Sequence, residues 1–133
     1  MSDARLSFDH VHLVAKDPDA TARWFKEKLG AEVKKSASVA GAPQVYMALG
    51  GSLVIIRGER PKEQPENKAG LEWGLDHFGM YVHGDFDAYC AGLKQKGVRF
   101  VVEPKQNSPT TRVAFIEAPD NVTIELLCRT EQI

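Results

Sequence analysis

Two histidines and one glutamate stand out for the chemistry their side chains support. His10 and His77 each follow an aspartate, in Asp9-His10 and Asp76-His77, and the two pairs lie 67 residues apart. Glu125 interrupts the apolar run VTIELLC (122–128). Imidazole nitrogens and a carboxylate oxygen are ligands for a divalent ion. Three protein ligands leave coordination positions open, where substrate or water can bind and be polarised. A carboxylate on an apolar strand is costly to bury unless it meets a metal or a hydrogen-bond donor. The competing reading is three separate half-buried polar residues, because spacing in sequence does not by itself bring side chains together.

The elements that must position these residues occur twice. Residues 9–30 (DHVHLVAKDPDATARWFKEKLG) and 76–97 (DHFGMYVHGDFDAYCAGLKQKG) each open with Asp-His, continue into an extended run, and close a capped helix with glycine, Gly30 or Gly97. Residues 8–15 suit a strand. Asp17-Pro18 supplies an N-cap and a first-turn proline, and Ala20, Trp24, Phe25 and Leu29 recur at helical spacing over 18–29. Strands follow at 31–39, 43–49 and 52–57, the last two joined by a Gly50-Gly51 hairpin. The second copy gives a strand over 77–83, a helix capped by Asp85 that presents Phe86, Tyr89 and Leu93, and a strand over 98–102. A polar turn at 103–110 then leads to strands at 112–117 and 122–128, separated by Asp120-Asn121.

The predicted fold class is therefore α+β: two tandem βαβββ modules, 8–58 and 73–130, forming a curved mixed sheet around a cup. The polar segment 59–72, with Pro61 and Pro65, is the linker, and the whole chain 1–133 reads as one domain.

Period-two alternation sorts the strand residues by face. His10, His12 and Val14 share one face of the first strand, and the apolar Val11, Leu13 and Ala15 should meet the helix. In the fifth strand His77, Gly79, Tyr81 and His83 oppose Phe78, Met80 and Val82. In the last strand Thr123, Glu125 and Leu127 oppose Val122, Ile124 and Leu126. His12 is a ligand, a general base or a substrate contact on this reading. Tyr81 either supplies a hydroxyl to the cup or packs in the core. Arg57 either receives an anionic substrate group or forms a surface salt bridge. Glu117 is a candidate proton-transfer carboxylate without a supporting motif. His83 should face solvent, and Trp24 and Phe25 should anchor the first helix. Trp73 and Phe78 either help define a cavity or pack at an interface.

Composition narrows the classes of partner. The formal net charge is -1, and no long basic stripe exists, which argues against nucleic acid. No run approaches the roughly 20 apolar residues of a membrane span, and MSDARLSFDH lacks a signal-peptide core. The two cysteines, Cys90 and Cys128, make neither a disulfide framework nor a CxxC motif, which favours a reducing, cytoplasmic setting.

Three segments carry a further resemblance: FDHVHLVAKDPDATARWFKEKLG (8–30), LDHFGMYVHGD (75–85) and APDNVTIELL (118–127). Together they resemble the vicinal oxygen chelate superfamily, the glyoxalase and bleomycin-resistance fold. The resemblance implies a metal ligand in the first and last strand of each module. His10, His77 and Glu125 match three of these positions. Aligning SLVIIRG with VTIELLC puts Ile55 at the fourth, where typical glyoxalase I and methylmalonyl-CoA epimerase members carry Glu or Gln. The remaining His-His-Glu set is similar to the facial triad of the family's extradiol dioxygenases. Those enzymes bind ferrous iron and catechol-like substrates, usually in longer chains with further catalytic His and Tyr residues. His12 and Tyr81 are the substitutes by role.

What the resemblance implies about activity is a divalent-metal-dependent, glyoxalase-like lyase or isomerase. It would act on a small substrate with vicinal oxygens through an enediolate, with Glu125 as both ligand and mobile base. The alternatives are an Fe(II) extradiol-type dioxygenase and a non-enzymatic drug- or antibiotic-binding resistance protein. The implied cofactor is one divalent ion (Fe, Ni, Zn, Co or Mn), with glutathione as an optional co-substrate, and the implied assembly is a homodimer.

Overall fold

A computed structural model describes residues 5, 7–63, 73 and 75–131. The chain divides into two compact units, one on each side of the expected linker. Residues 64–72 of the expected linker lie outside the described residues.

The first unit runs β1 (His10–Val14), α1 (Pro18–Leu29), β2 (Glu32–Val39), β3 (Ala42–Leu49) and β4 (Ser52–Arg57). Its sheet has the order β1-β4-β3-β2, with β1 parallel to β4 and the remaining pairs antiparallel. The helix begins where the sequence predicts. Asp17 Oδ1 accepts the Ala20 amide at 3.0 Å, and Pro18 fills the first turn, where its missing N–H costs nothing. It ends at Gly30, whose φ of 74° is left-handed, with the Gly30 amide donating to Lys26 O. α1 packs mainly on β3 and β4. Phe25, Met47 and Ile56 are fully buried there, joined by Leu13 and Ala15.

The second unit repeats the order: β5 (Phe78–Tyr81), α2 (Phe86–Gln95), β6 (Arg99–Ser108), β7 (Thr111–Ala118) and β8 (Val122–Arg129), with a short 3-10 turn at Pro119–Asn121. Its sheet order, β5-β8-β7-β6, is that of the first, again with one parallel edge pair, β5 and β8. Asp85 Oδ1 caps α2 through the Ala88 amide at 3.0 Å. Phe86, Cys90 and Leu93 from α2, and Ile116, Ile124 and Leu126 from the sheet, are buried. Each module thus builds its own four-stranded mixed sheet.

Several boundaries differ from the sequence reading, β6 most of all, and β1 and β5 are each shorter than expected. β6 continues through Ser108, although 103–110 reads as a polar turn. β6 is an edge strand, and its register with β7 shifts at several places. An edge tolerates Pro104 and bulges because one side of its backbone needs no strand partner. The chain turns at Pro109-Thr110 instead. β5 is shorter than 77–83: ladder pairing covers only Phe78–Tyr81, extended by the Val82 amide donating to Leu127 O.

Candidate metal centre

β1 turns Leu13 and Ala15 into the core and leaves His10 and His12 on the opposite, exposed face. His10 Nδ1 lies 2.8 Å from Asp9 Oδ2. A carboxylate is acceptor-only, so it holds the imidazole proton on Nδ1 and leaves the Nε2 lone pair outward, the arrangement that orients metal-binding histidines. The rings of His10 and His12 meet edge to face at 5.9 Å. Partial desolvation, reinforced by His10, Arg57 and Arg60, holds the His12 pKa below the usual histidine range.

The second module repeats the aspartate contact and adds a carboxylate. His77 Nδ1 lies 2.7 Å from Asp76 Oδ2, and His77 Nε2 lies 2.8 Å from Glu125 Oε1. β5 and β8 produce this meeting. His77 directly precedes β5, and Glu125 pairs with Gly79, which puts no side chain beside the carboxylate. Phe115, opposite Glu125 on β7, closes edge to face on the His77 ring at 5.1 Å. The Asp76 hydrogen bond raises the His77 pKa; burial opposes it, and Glu125 adds to the rise.

The other candidates have their own partners. The Tyr81 hydroxyl donates to Arg129 O and accepts the Arg129 amide, both at 3.1 Å, and its ring lies against exposed His83. Arg57 forms a two-pronged ion pair with Glu63. Glu117 pairs with Arg99 at 3.2 Å. Trp24 stands edge to face with the fully buried Phe25 at 5.2 Å. Trp73 is fully exposed and Phe78 is half-buried. Cys90 is a free, buried thiol that burial pushes up to about 11, a poor nucleophile.

Ile55 is 6% exposed and stands opposite His12 in the β1–β4 register, as Glu125 stands opposite Gly79 in β5–β8. His12 and Gly79 are related by the 67-residue offset of the Asp-His pairs, so strand register confirms the equivalence of Ile55 and Glu125. Among the described residues, no group of three or more His, Cys, Asp or Glu side chains is assembled to hold a metal. The structure brings together His77 and Glu125, and it brings each histidine to its aspartate.

Sequence reasoning did not assign the aspartates their orienting role, although Asp-His in both copies was the signal. It also overlooked Phe115, Arg60 and Glu63. The last two sit in a segment that composition marks as linker. No described helix is long and apolar enough to cross a membrane.

Of the donor set, the His77–Glu125 pair has the spacing of two ligands of one divalent ion. Two ligands about 2.0–2.2 Å from one ion stand roughly 3 Å apart, close to the His77–Glu125 separation. A carboxylate on the far ring nitrogen is the usual outer partner of a ligating histidine.

A family model described as the glyoxalase/bleomycin resistance protein/dioxygenase superfamily matches residues 7–126. No curated protein matches the chain. Among solved structures, a glyoxylase/bleomycin resistance protein/dioxygenase domain from Frankia sp. EAN1pec has a TM-score of 0.78 at 21% identity, covering 98% of this chain and 96% of that one. A glyoxalase family protein from Enterococcus faecalis has a TM-score of 0.78 at 21% identity, covering 92% and 97%. A mutant of the genomically encoded fosfomycin resistance protein FosX from Listeria monocytogenes, complexed with Mn(II) and 1S,2S-dihydroxypropylphosphonic acid, has a TM-score of 0.71 at 16% identity, covering 98% and 96%. At these identities the likeness is one of fold.

Proposed function

The chain belongs to the glyoxalase/bleomycin resistance protein/dioxygenase superfamily, and from that membership we propose a divalent-metal-dependent lyase or isomerase acting on a small substrate with vicinal oxygens. The observation that carries this reading is the chain Asp76–His77–Glu125, with 2.7 and 2.8 Å links on the two nitrogens of one ring. On this reading His77 and Glu125 are the second module's ligands, and His10, oriented by Asp9 in the same way, is the ligand the first module offers. The ligand of the Listeria relative supports the substrate class, since it carries two hydroxyls on adjacent carbons.

When bound, a divalent ion supplies Lewis-acid polarisation of a substrate oxygen. The protein supplies the rest. Asp9 and Asp76 accept the Nδ1 proton of each imidazole and so leave Nε2 as the ligating nitrogen, which on His77 must first lose its own proton to Glu125 or solvent. Glu125 has a second carboxylate oxygen with which to take a proton from a carbon beside a carbonyl. His12, its pKa lowered, is the second base on the first module's exposed face.

Ile55 favours one competing reading. With no ligand at that position, the set reduces to two histidines and one glutamate, the composition that suits Fe(II) oxygen chemistry. The two readings separate cleanly. Protein loaded in turn with Mn, Fe, Co, Ni and Zn is assayed in D₂O for proton exchange on α-hydroxycarbonyl substrates, and for oxygen uptake with catechols. Exchange without oxygen uptake supports the lyase or isomerase. Ring cleavage with oxygen uptake replaces it by the dioxygenase. Tight small-molecule binding with neither leaves a sequestering protein. Failure of every ion to bind rejects the metal centre.

A further inference from the structure

We propose that the first module carries an anion site built on Arg57 and the Arg60 main-chain amide, and that Glu63 of the chain itself occupies it until a carboxylate-bearing ligand displaces it. The geometry is that of carboxylate capture. Arg57 Nη1 and Nη2 donate to Glu63 Oε1 and Oε2 at 2.6 and 3.0 Å, and the Arg60 amide donates to Oε1 at 2.7 Å. Two parallel guanidinium bonds are the most selective recognition of a planar two-oxygen anion that a side chain offers.

Arg57 belongs to the fold and Glu63 lies over it. The Arg57 side chain is 16% exposed and the Glu63 side chain 36%. Arg57 closes β4, between Val14 and Gln44 in register, and its Nη1 is also held by Gly58 O at 3.1 Å. Glu63 hangs from a turn in which its amide donates to Arg60 O. Lys62 in that turn has φ of 70°, a left-handed backbone that a lysine adopts at a cost. Removing Glu63 therefore uncovers the guanidinium without opening the core.

Two further polar groups at this place await a partner. Gln44, directly across the ladder from Arg57, is 6% exposed; its Nε2 donates to the Tyr46 hydroxyl at 2.7 Å, and its Oε1 has no partner among the described residues. Reversing the amide exchanges which atom is left over but does not pair it. Arg60 Nε is buried and likewise without a partner among the described residues. Buried polar atoms are ordinarily satisfied, and these two exceptions fall on the residue across the ladder from Arg57 and on the residue whose amide holds Glu63, which marks this end of β4 as a place where a ligand completes the bonding.

The site is also placed to matter. The β1–β4 register sets His10, His12 and Val14 beside Leu53, Ile55 and Arg57, so His10, His12 and Arg57 share one sheet face. A ligand anchored there by its carboxylate extends along the face that carries both histidines. Glu63 is held at about 2 by Arg57, so the exchange replaces one anion by another. Every residue of this site belongs to the first module, and no metal takes part in it.

The test is a titration of the full chain with sodium acetate, with sodium chloride at matched ionic strength and inorganic phosphate in parallel. The readout is the backbone N–H resonances of Gly58 and Arg60, which every variant retains. Glu63→Gln, which is isosteric and uncharged, is expected to bind acetate about tenfold more tightly than the unaltered protein. Adding Arg57→Met to that variant should abolish the binding. Glu63→Ala is the second variant, should the glutamine keep its hydrogen bonds. Equal acetate affinity in the unaltered, E63Q and E63A proteins, all folded by thermal melting, overturns the proposal and makes Glu63 a permanent strut. Tighter binding of phosphate or chloride than of acetate overturns the carboxylate assignment.

Discussion

Ile55 and Glu125 occupy the same position in the two modules, yet only one of them can ligate. Ile55 faces His12 across β1–β4, and Glu125 faces Gly79 across β5–β8. The modules thus share a topology but not a donor set. The second has a His–Glu contact, and the first has a buried aliphatic in its place.

Restoring the carboxylate should expose that asymmetry. Ile55→Glu places a charge where only 6% of the residue is exposed, and it should destabilise the metal-free protein by on the order of 3 kcal/mol. If His10 ligates as proposed, Mn(II) should recover much of the loss and bind more tightly than in the parent. Urea unfolding with and without the ion measures both effects; a variant indifferent to the ion argues against His10 as a ligand.

The aspartates should matter without touching the ion. Asp76→Ala is expected to weaken metal affinity by about 10–100-fold through loss of the orienting bond to His77 Nδ1. His77→Ala and Glu125→Ala should weaken it further. Calorimetric titration with one ion across the three variants ranks them, and an Asp76→Ala affinity equal to the parent's would leave the aspartate without a role.

The His77 pKa lies above its ordinary value of 6.5, chiefly because of Asp76 and secondarily because of Glu125. For the metal-free protein the sign follows from linkage. The imidazolium's contribution to stability is complete below pH 6.5 and is lost as pH rises through the higher folded-state value. Metal binding should run the other way, strengthening with pH over that window as the proton leaves Nε2. Melting temperature against pH, with His77→Gln as the control, should show the slope in the parent alone.

Tyr81 should prove separable from the chemistry. Its hydroxyl is fastened to both the amide and the carbonyl of Arg129. Tyr81→Phe should cost about 1 kcal/mol in stability and leave kcat within a few-fold of the parent. A loss of several hundredfold in kcat, with the fold intact, would restore it to the catalytic group.

Phe25 is fully buried beneath the first sheet. Phe25→Ala should cost about 3–5 kcal/mol. Chemical denaturation measures it, and a loss under about 1 kcal/mol would mean that α1 is not part of the first module's core.

Local chemistry was legible in the sequence. Asp17, Pro18 and Gly30 bound α1, and Asp85 starts α2, because caps and left-handed closures depend on a few neighbouring residues. The Gly50-Gly51 turn has φ of 59° and 88°, and Asp120-Asn121 matches it with 62° and 61°, so these dipeptides announced their hairpins. Period-two alternation sorted His10 from Leu13 and Glu125 from Ile124, and the duplication predicted the second module from the first.

What pairs with what was not legible, because it depends on neighbours distant in sequence. Residues 103–108 look like a turn by composition; an edge position on β7 makes them a strand, since an edge forgives a proline and a bulge. Glu63 and Arg60 look like linker, and only the end of β4 shows that they meet Arg57. The sequence by itself determined that His10 and Glu125 stand on strand faces turned away from the buried core residues Leu13 and Ile124. Tertiary structure decided that His77 reaches Glu125, because strands β5 and β8, 48 residues apart at that contact, run side by side in one parallel register.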